Sequence, residues 1–206
     1  MQAIDLFPTP FFRIDEAISD MDCYEIAHIL STIKYHENDG DLTLGSQRSE
    51  NTWILGKYFP ILQQTIENTF TDIARNELGL QTTCEFRVMS SWGVRTKPGG
   101  KSIRHTHSNS FWSGVLYVTP NPSAIAFTKE TDTGIMVAPV KHTKYSVTRV
   151  EHKPQMGQVI FFPSTMMHQV CKNDTEETRY SVAFNILPDG IFGKHDSTAN
   201  ICVMEH

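Results

Sequence analysis

The chain has 206 residues, 39% of them hydrophobic and 20% charged, which suits one globular domain with a buried core. A formal net charge of −5 disfavours a general binder of phosphate backbones, so a protein or small-molecule substrate is favoured over nucleic acid. The four cysteines, Cys23, Cys84, Cys171 and Cys202, form no CxxC pair, which argues against a zinc ribbon or dithiol redox centre and for free thiols in a reducing cytoplasm.

In chain order, the N-terminal MQAIDLFPTPFF has no basic start and no long apolar run, so no secretory signal is expected; nor does any apolar window reach the ~18 residues of a membrane span. Asp22-Cys23-Tyr24-Glu25 reads as a capping box with Asp22 as the cap. Cys23, Ile26, Ala27, Leu30 and Ile33 then recur at three- and four-residue steps and predict a helix with one buried face. A polar loop is expected from Glu37 to Asn51. Pro60 suits the first turn of a second helix, with Leu62, Ile66, Phe70, Ile73 and Ala74 inward and Gly79 as the stop. From about Thr82 the period becomes two: Phe86, Val88, Ser90, Trp92 and Val94 alternate. Further strands are expected at Trp112–Val118, Ala124–Thr128, Tyr145–Val150, Gln158–Phe162, Met167–Cys171 and Arg179–Leu187, separated by Pro, Gly, Asn and Asp. The tail from Asp189 to His206 reads as a loop or a short extra strand. The sequence thus predicts a mainly β fold, jelly-roll-like, in one domain over 1–206, with helical N-terminal support over about 1–80 and a β core over about 82–188.

The chemistry-bearing residues cluster in three stretches. In Arg104-His105-Thr106-His107-Ser108-Asn109, residues two apart on a strand share a face, so His105 and His107 can offer two imidazoles to one ion. Gly157-Gln158-Val159-Ile160-Phe161-Phe162-Pro163-Ser164 reads as turn, buried strand and turn, and His168 follows. Arg179-Tyr180-Ser181-Val182-Ala183-Phe184-Asn185 comes next, with Arg179 and Ser181 on one strand face. A keto acid held by a metal needs a cation at its far carboxylate, and an Arg offers two parallel N–H donors for that purpose. Tyr117 can add a hydroxyl, or is a core tyrosine. Asn185 supports the Arg179 strand, touches a ligand, or faces a turn. Phe111, Trp112, Val159 and Phe161 suit a dry wall beside the metal or plain core, and Arg95, Lys97, Lys101 and Arg104 flank the expected mouth as a solvated loop. His28, His36, His142, His152, His195 and His206 have no spacing partner and read as surface or structural.

Together, HTHSNSFWSGVLYV, GQVIFFPSTMMHQV and RYSVAFNI resemble a family of 2-oxoglutarate- and Fe(II)-dependent oxygenases of bacteria and phages, over about Ser91 to Leu187. The resemblance implies a double-stranded β-helix, cupin-like in outline, with Fe(II) and 2-oxoglutarate as cosubstrate and O2 as co-reactant. It implies hydroxylation of a substrate C–H with release of succinate and CO2. On this chain the metal falls to His105, His107 and His168, and 2-oxoglutarate to Arg179, Ser181 and Tyr117. A phage-encoded member works in the host cytoplasm. The wider superfamily uses two His and one carboxylate, and here no acid stands two residues after either His. Either His107 replaces the carboxylate, or His107 is the first ligand and Asn109 stands at the acid's place, with imidazole, the better iron ligand, favouring the former; a third reading is that the missing carboxylate marks an inactive or differently reactive relative. The rivals are a cupin-like metal protein with a cosubstrate-independent activity and a non-catalytic β-sandwich module. Arg179-x-Ser181 has no role in the first, and iron content separates the second from both enzyme readings.

Overall fold

The computed structural model describes residues 4–36, 44–129 and 138–203. Helix α1 (Asp20–Thr32) starts one turn's cap earlier than expected. Ser19 is the N-cap and accepts from the Asp22 N–H, while the Asp22 carboxylate accepts from the Ser19 N–H, so Asp22 is the reciprocal third residue of the box rather than its cap. Cys23, Ile26 and Leu30 are its buried residues. A short α2 (Ile54–Tyr58) precedes α3 (Pro60–Asn76), which has Pro60 in its first turn and buries Ile66, Phe70 and Ala74. Beyond α3, the N–H groups of Leu78 and Leu80 return to Ile73 and Ala74, and Gly79 takes φ +62°, a conformation that glycine adopts without a steric cost.

The strands are β1 (Phe12–Ile14), β2 (Ser46–Arg48), β3 (Cys84–Thr96), β4 (Trp112–Tyr117), β5 (Ile125–Thr128), β6 (Arg149–His152), β7 (Val159–Pro163), β8 (His168–Val170), β9 (Arg179–Phe192) and β10 (Ala199–Ile201). The larger antiparallel sheet runs β1-β7-β4-β9-β3-β2, with β10 also on β9; the smaller runs β6-β5-β8. Alternation gives the large sheet two different faces. Trp112, Leu116, Val159, Phe161, Val182, Phe184 and Ile186 pack with the helices in one core. Residues between them, Tyr117, Ile160 and Phe162, pack with Ile125 and Phe127 of the small sheet in a second. Fully buried Phe70, Phe161 and Phe184 anchor the first core, each contributing about 1.5–3 kcal/mol from burial.

Strand β3 serves both faces. A bulge between Val88 and Ser90 shifts its register on β9. Phe86 and Val88 lie in the helix-side core, whereas Ser90, Trp92, Val94 and Thr96 line the cavity between the sheets. The single alternation expected from Phe86 to Val94 is therefore two half-strands of opposite facing, because one extra residue inverts a period of two.

Other expectations need correction. The N-terminal eighty residues are not helical alone, since β1 and β2 add strands to both ends of the large sheet. Part of the expected Glu37–Asn51 loop, 37–43, lies outside the described residues, and so does His206; the rest contains β2. The strand expected at Tyr145–Val150 begins only at Arg149, after a turn closed by N–H groups of Ser146 and Val147 on the Thr143 carbonyl. Strand β9 extends past Leu187 to Phe192 because β10 gives it a further partner.

Candidate active site

A cavity of about 570 Å³ lies between the sheets. At one place on its wall, His105, His107 and His168 bring one potential ligand atom each to within 4.8 Å of one another. The backbone sets this up: His105 and His168 exchange N–H···O bonds of 2.9 and 3.0 Å, and the His107 N–H donates to the Ser164 carbonyl at 2.9 Å. Each ring is also oriented through Nδ1, which meets the Ile103 carbonyl at 3.0 Å for His105, Asn185 Oδ1 at 2.7 Å for His107 and the Met166 carbonyl at 2.9 Å for His168. A carbonyl oxygen only accepts, so Nδ1 carries the proton and Nε2 keeps its lone pair for a ligand position. His168 is 4% exposed. Burial, reinforced by neighbouring His105 and His107, pushes its imidazolium down to about 3; burial also lowers His107, against the opposing effect of its Asn185 bond. Neutral imidazole is the metal-binding form, so this donor set fits a divalent transition metal.

Arg179 lines the same cavity and is 9% exposed. Its Nε donates to Asn173 Oδ1 at 2.6 Å and its Nη2 to Thr175 Oγ1 at 3.0 Å; among the described residues no carboxylate pairs with it within 4.0 Å. Burial lowers its pKa from the usual guanidinium range, partly offset by Glu177 and Asp174, yet a guanidinium stays charged. A buried cation on neutral acceptors is what an anionic ligand completes. Ser181 lies two residues on along β9, opposite Tyr117 of β4, and both line the cavity. Burial drives the Tyr117 phenol far above its usual range, so it remains a protonated donor.

Residues 90–185 match a family model described as "Putative 2OG-Fe(II) oxygenase". That stretch, just under half of the chain, is similar to the 2OG-Fe(II) oxygenase family. The family depends on Fe(II) and 2-oxoglutarate, and the matched stretch holds all three histidines, Arg179, Ser181 and Tyr117. No curated protein sequence gives a significant match. Among solved structures, a Pseudomonas putida prolyl-4-hydroxylase matches at 14% identity with a TM-score of 0.56, over 86% of this chain and 92% of that one. HygX from Streptomyces hygroscopicus, with nickel and 2-oxoglutarate bound, matches at 10% identity and TM-score 0.54, over 86% and 82%. The epimerase SnoN in complex with Fe3+, alpha ketoglutarate and nogalamycin RO matches at 11% identity and TM-score 0.62, over 87% and 79%. The fold is thus the double-stranded β-helix of the oxygenase family.

Within this oxygenase frame some sequence-predicted residues stand elsewhere. Trp112, Val159 and Phe161 belong to the helix-side core, and Phe111 is 41% exposed and stacked on Phe86, so none of them is the dry wall. Their alternate neighbours take that place: Val115 and Phe162 line the cavity with Trp92, whose ring lies 5.6 Å from that of His107. Asn109 is exposed, with φ +55°, and is not on the cavity wall. Asn185 faces no turn; it sits within β9 against His107. Arg95 bonds Gln47 and covers the Tyr35 ring rather than the cavity, and Lys97, Lys101 and Arg104 are exposed. His36 lines the mouth, and His152 bonds Gln158. Asn173 and Thr175 were not singled out by sequence, since a loop Asn and Thr ahead of a strand carry no periodic signal.

Proposed function

We propose that this chain is a 2-oxoglutarate-dependent oxygenase in which His105, His107 and His168 hold Fe(II), and Arg179, Ser181 and Tyr117 receive the far carboxylate of 2-oxoglutarate. The observation that carries this is one cavity with three convergent imidazoles and a buried Arg179 that, among the described residues, pairs with no carboxylate. With Fe(II) and 2-oxoglutarate in place, the site supplies the family's chemistry: 2-oxoglutarate, O2 and a substrate C–H give succinate, CO2 and the hydroxylated product. The chain's own part is placement. Arg179 and Tyr117 orient the cosubstrate by charge-assisted and hydroxyl donation. The Nδ1 acceptors fix the three rings in the ligating tautomer. Val115, Phe162 and Trp92 exclude water from the cavity wall. Oxidation of a C–H on a protein or small molecule is the reaction class; the prolyl-4-hydroxylase neighbour bears that activity in its own name only.

The test is binding before turnover. Anaerobic protein should take up one Fe(II) and then 2-oxoglutarate, and in air should form succinate slowly without substrate. Arg179→Ala should weaken 2-oxoglutarate binding tenfold or more while Fe(II) stoichiometry holds. His168→Ala should abolish Fe(II) binding. Wild-type protein that binds neither Fe(II) nor 2-oxoglutarate would refute the proposal.

A further inference from the structure

Beside Asn185, the Nδ1 partner of His107, three serines of the matched stretch have no side-chain role above: Ser110, Ser113 and Ser164. The structure gathers them behind His107. Asn185 of β9 stands in register with Ser113 of β4 on one side and Ser90 of β3 on the other. Ser113 Oγ donates to Asn185 Oδ1 at 2.8 Å, and Asn185 Nδ2 donates to Ser90 Oγ at 3.4 Å. The hydroxyls of Ser113 and Ser164 lie 2.8 Å apart, and Ser164 Oγ donates to Ser110 Oγ at 2.8 Å. The carbonyl of that same Ser164 takes the His107 N–H.

His107 needs this support where its partners do not. The rings of His105 and His168 are each turned by the carbonyl two residues earlier, Ile103 and Met166. For His107 that carbonyl belongs to His105, and it is directed across to the His168 N–H at 3.0 Å. The His107 ring relies instead on a side chain from another strand, Asn185 Oδ1 at 2.7 Å. Ser90 reaches Asn185 only because the β3 bulge turns it to the cavity face.

We infer that Asn185, held by Ser90 and Ser113, is the positioning residue that makes His107 a metal ligand. This rests on the reading that His107 ligates. Asn185 Oδ1 accepts the hydrogen bond from Nδ1–H, which selects the tautomer with a free Nε2 and sets the ring's direction. A carboxylate at position 107 would have no tautomer to select and would not depend on Asn185. The arrangement is therefore the structural counterpart of an imidazole standing where the superfamily has an acid.

The test titrates metal-free protein with Co(II) alone, following visible absorption, with thermal midpoints of each metal-free variant in parallel. Asn185→Leu should weaken Co(II) about 10- to 100-fold, the usual range for loss of such a partner. Asn185→Asp, which keeps the acceptor, should stay within about threefold of wild type. In a His107→Asp background, Asn185→Leu should change Co(II) affinity less than about threefold. If Asn185→Leu fails to fold, Asn185→Ala makes the same comparison in both backgrounds. Three results overturn the inference: Asn185→Leu binding as wild type, an equal loss in the His107→Asp background, or no metal binding by His107→Asp itself. Wild-type affinity in His107→Ala would instead remove the ligand assignment, and the role of Asn185 with it.

Discussion

Arg179 is held by two neutral side chains, so its charge is kept for a ligand. Asn173 does the finer work, because its Oδ1 takes the Arg179 Nε–H while its Nδ2 ties to the Thr96 and Glu177 carbonyls. Asn173→Ala should leave Arg179 free to swing and weaken 2-oxoglutarate about 10-fold, the size of a lost hydrogen bond to a charged group, while Co(II) affinity holds. A 2-oxoglutarate titration of the Co(II) protein measures this; an unchanged constant refutes it. His168 gives a pH dependence. An unfolded imidazole takes its proton near 6.5, whereas folded His168 does so only near 3. Between those values the unfolded state binds the extra proton, so metal-free protein is at full stability above pH 6.5 and loses about 1.4 kcal/mol per pH unit as pH falls. His107 shifts in the same direction. Urea midpoints from pH 7 to 4.5 should fall with this slope, and His168→Gln should flatten it. At this scale the members of the histidine cluster were legible in the sequence because HxH and a later His before RxS are local patterns. Asn173, Thr175 and the His107–Asn185 contact were not, since they join residues that only strand pairing brings together.

Elements were legible where they carry a long period. Helix α3 has Pro60 at its start and an apolar face over 17 residues, and Val182, Phe184 and Ile186 alternate into the core along the first part of β9. Strands β1 and β2, three residues each, exist only through pairing with β7 and β3 and leave no period to read. Alternation also shows that a strand has two faces but not which one meets the cavity, which is why the sequence leaves Trp112 and Phe161 open between site wall and core, and the structure puts them in the core. In β4 the packing leaves no latitude. A Cβ on Gly114 would collide with the Phe184 ring and come within 2.7 Å of the Ile160 carbonyl. Gly114→Ala should therefore destabilise by about 1–3 kcal/mol, and the neighbouring Ser113–Asn185 bond should weaken with it. A thermal midpoint equal to wild type would show that the strands separate more easily than this packing allows.

Across the molecule, the candidate metal centre joins the two sheets. His168 belongs to β8 of the small sheet, while His107 is tied through Ser164 and Asn185 to β7 and β9 of the large one. A bound ion should therefore act on global stability: at a hundred times its dissociation constant, Co(II) should add about 2.7 kcal/mol, and His168→Ala should erase the gain. Denaturant curves with and without Co(II) decide it. Among the described residues no helix is long and apolar enough to cross a membrane. The bulge in β3 has a consequence for heredity. Because it sends Phe86 and Val88 to one side and Ser90, Trp92, Val94 and Thr96 to the other, a mutational scan should change phase at Met89. Lesions at Phe86 or Val88 should empty the cell of folded protein, as should those at helix-facing Ser91 and Gly93, whereas lesions at cavity-facing Trp92 or Val94 should leave folded protein with weakened ligand binding. A single strand thus lets abundance and ligand choice drift under separate selection.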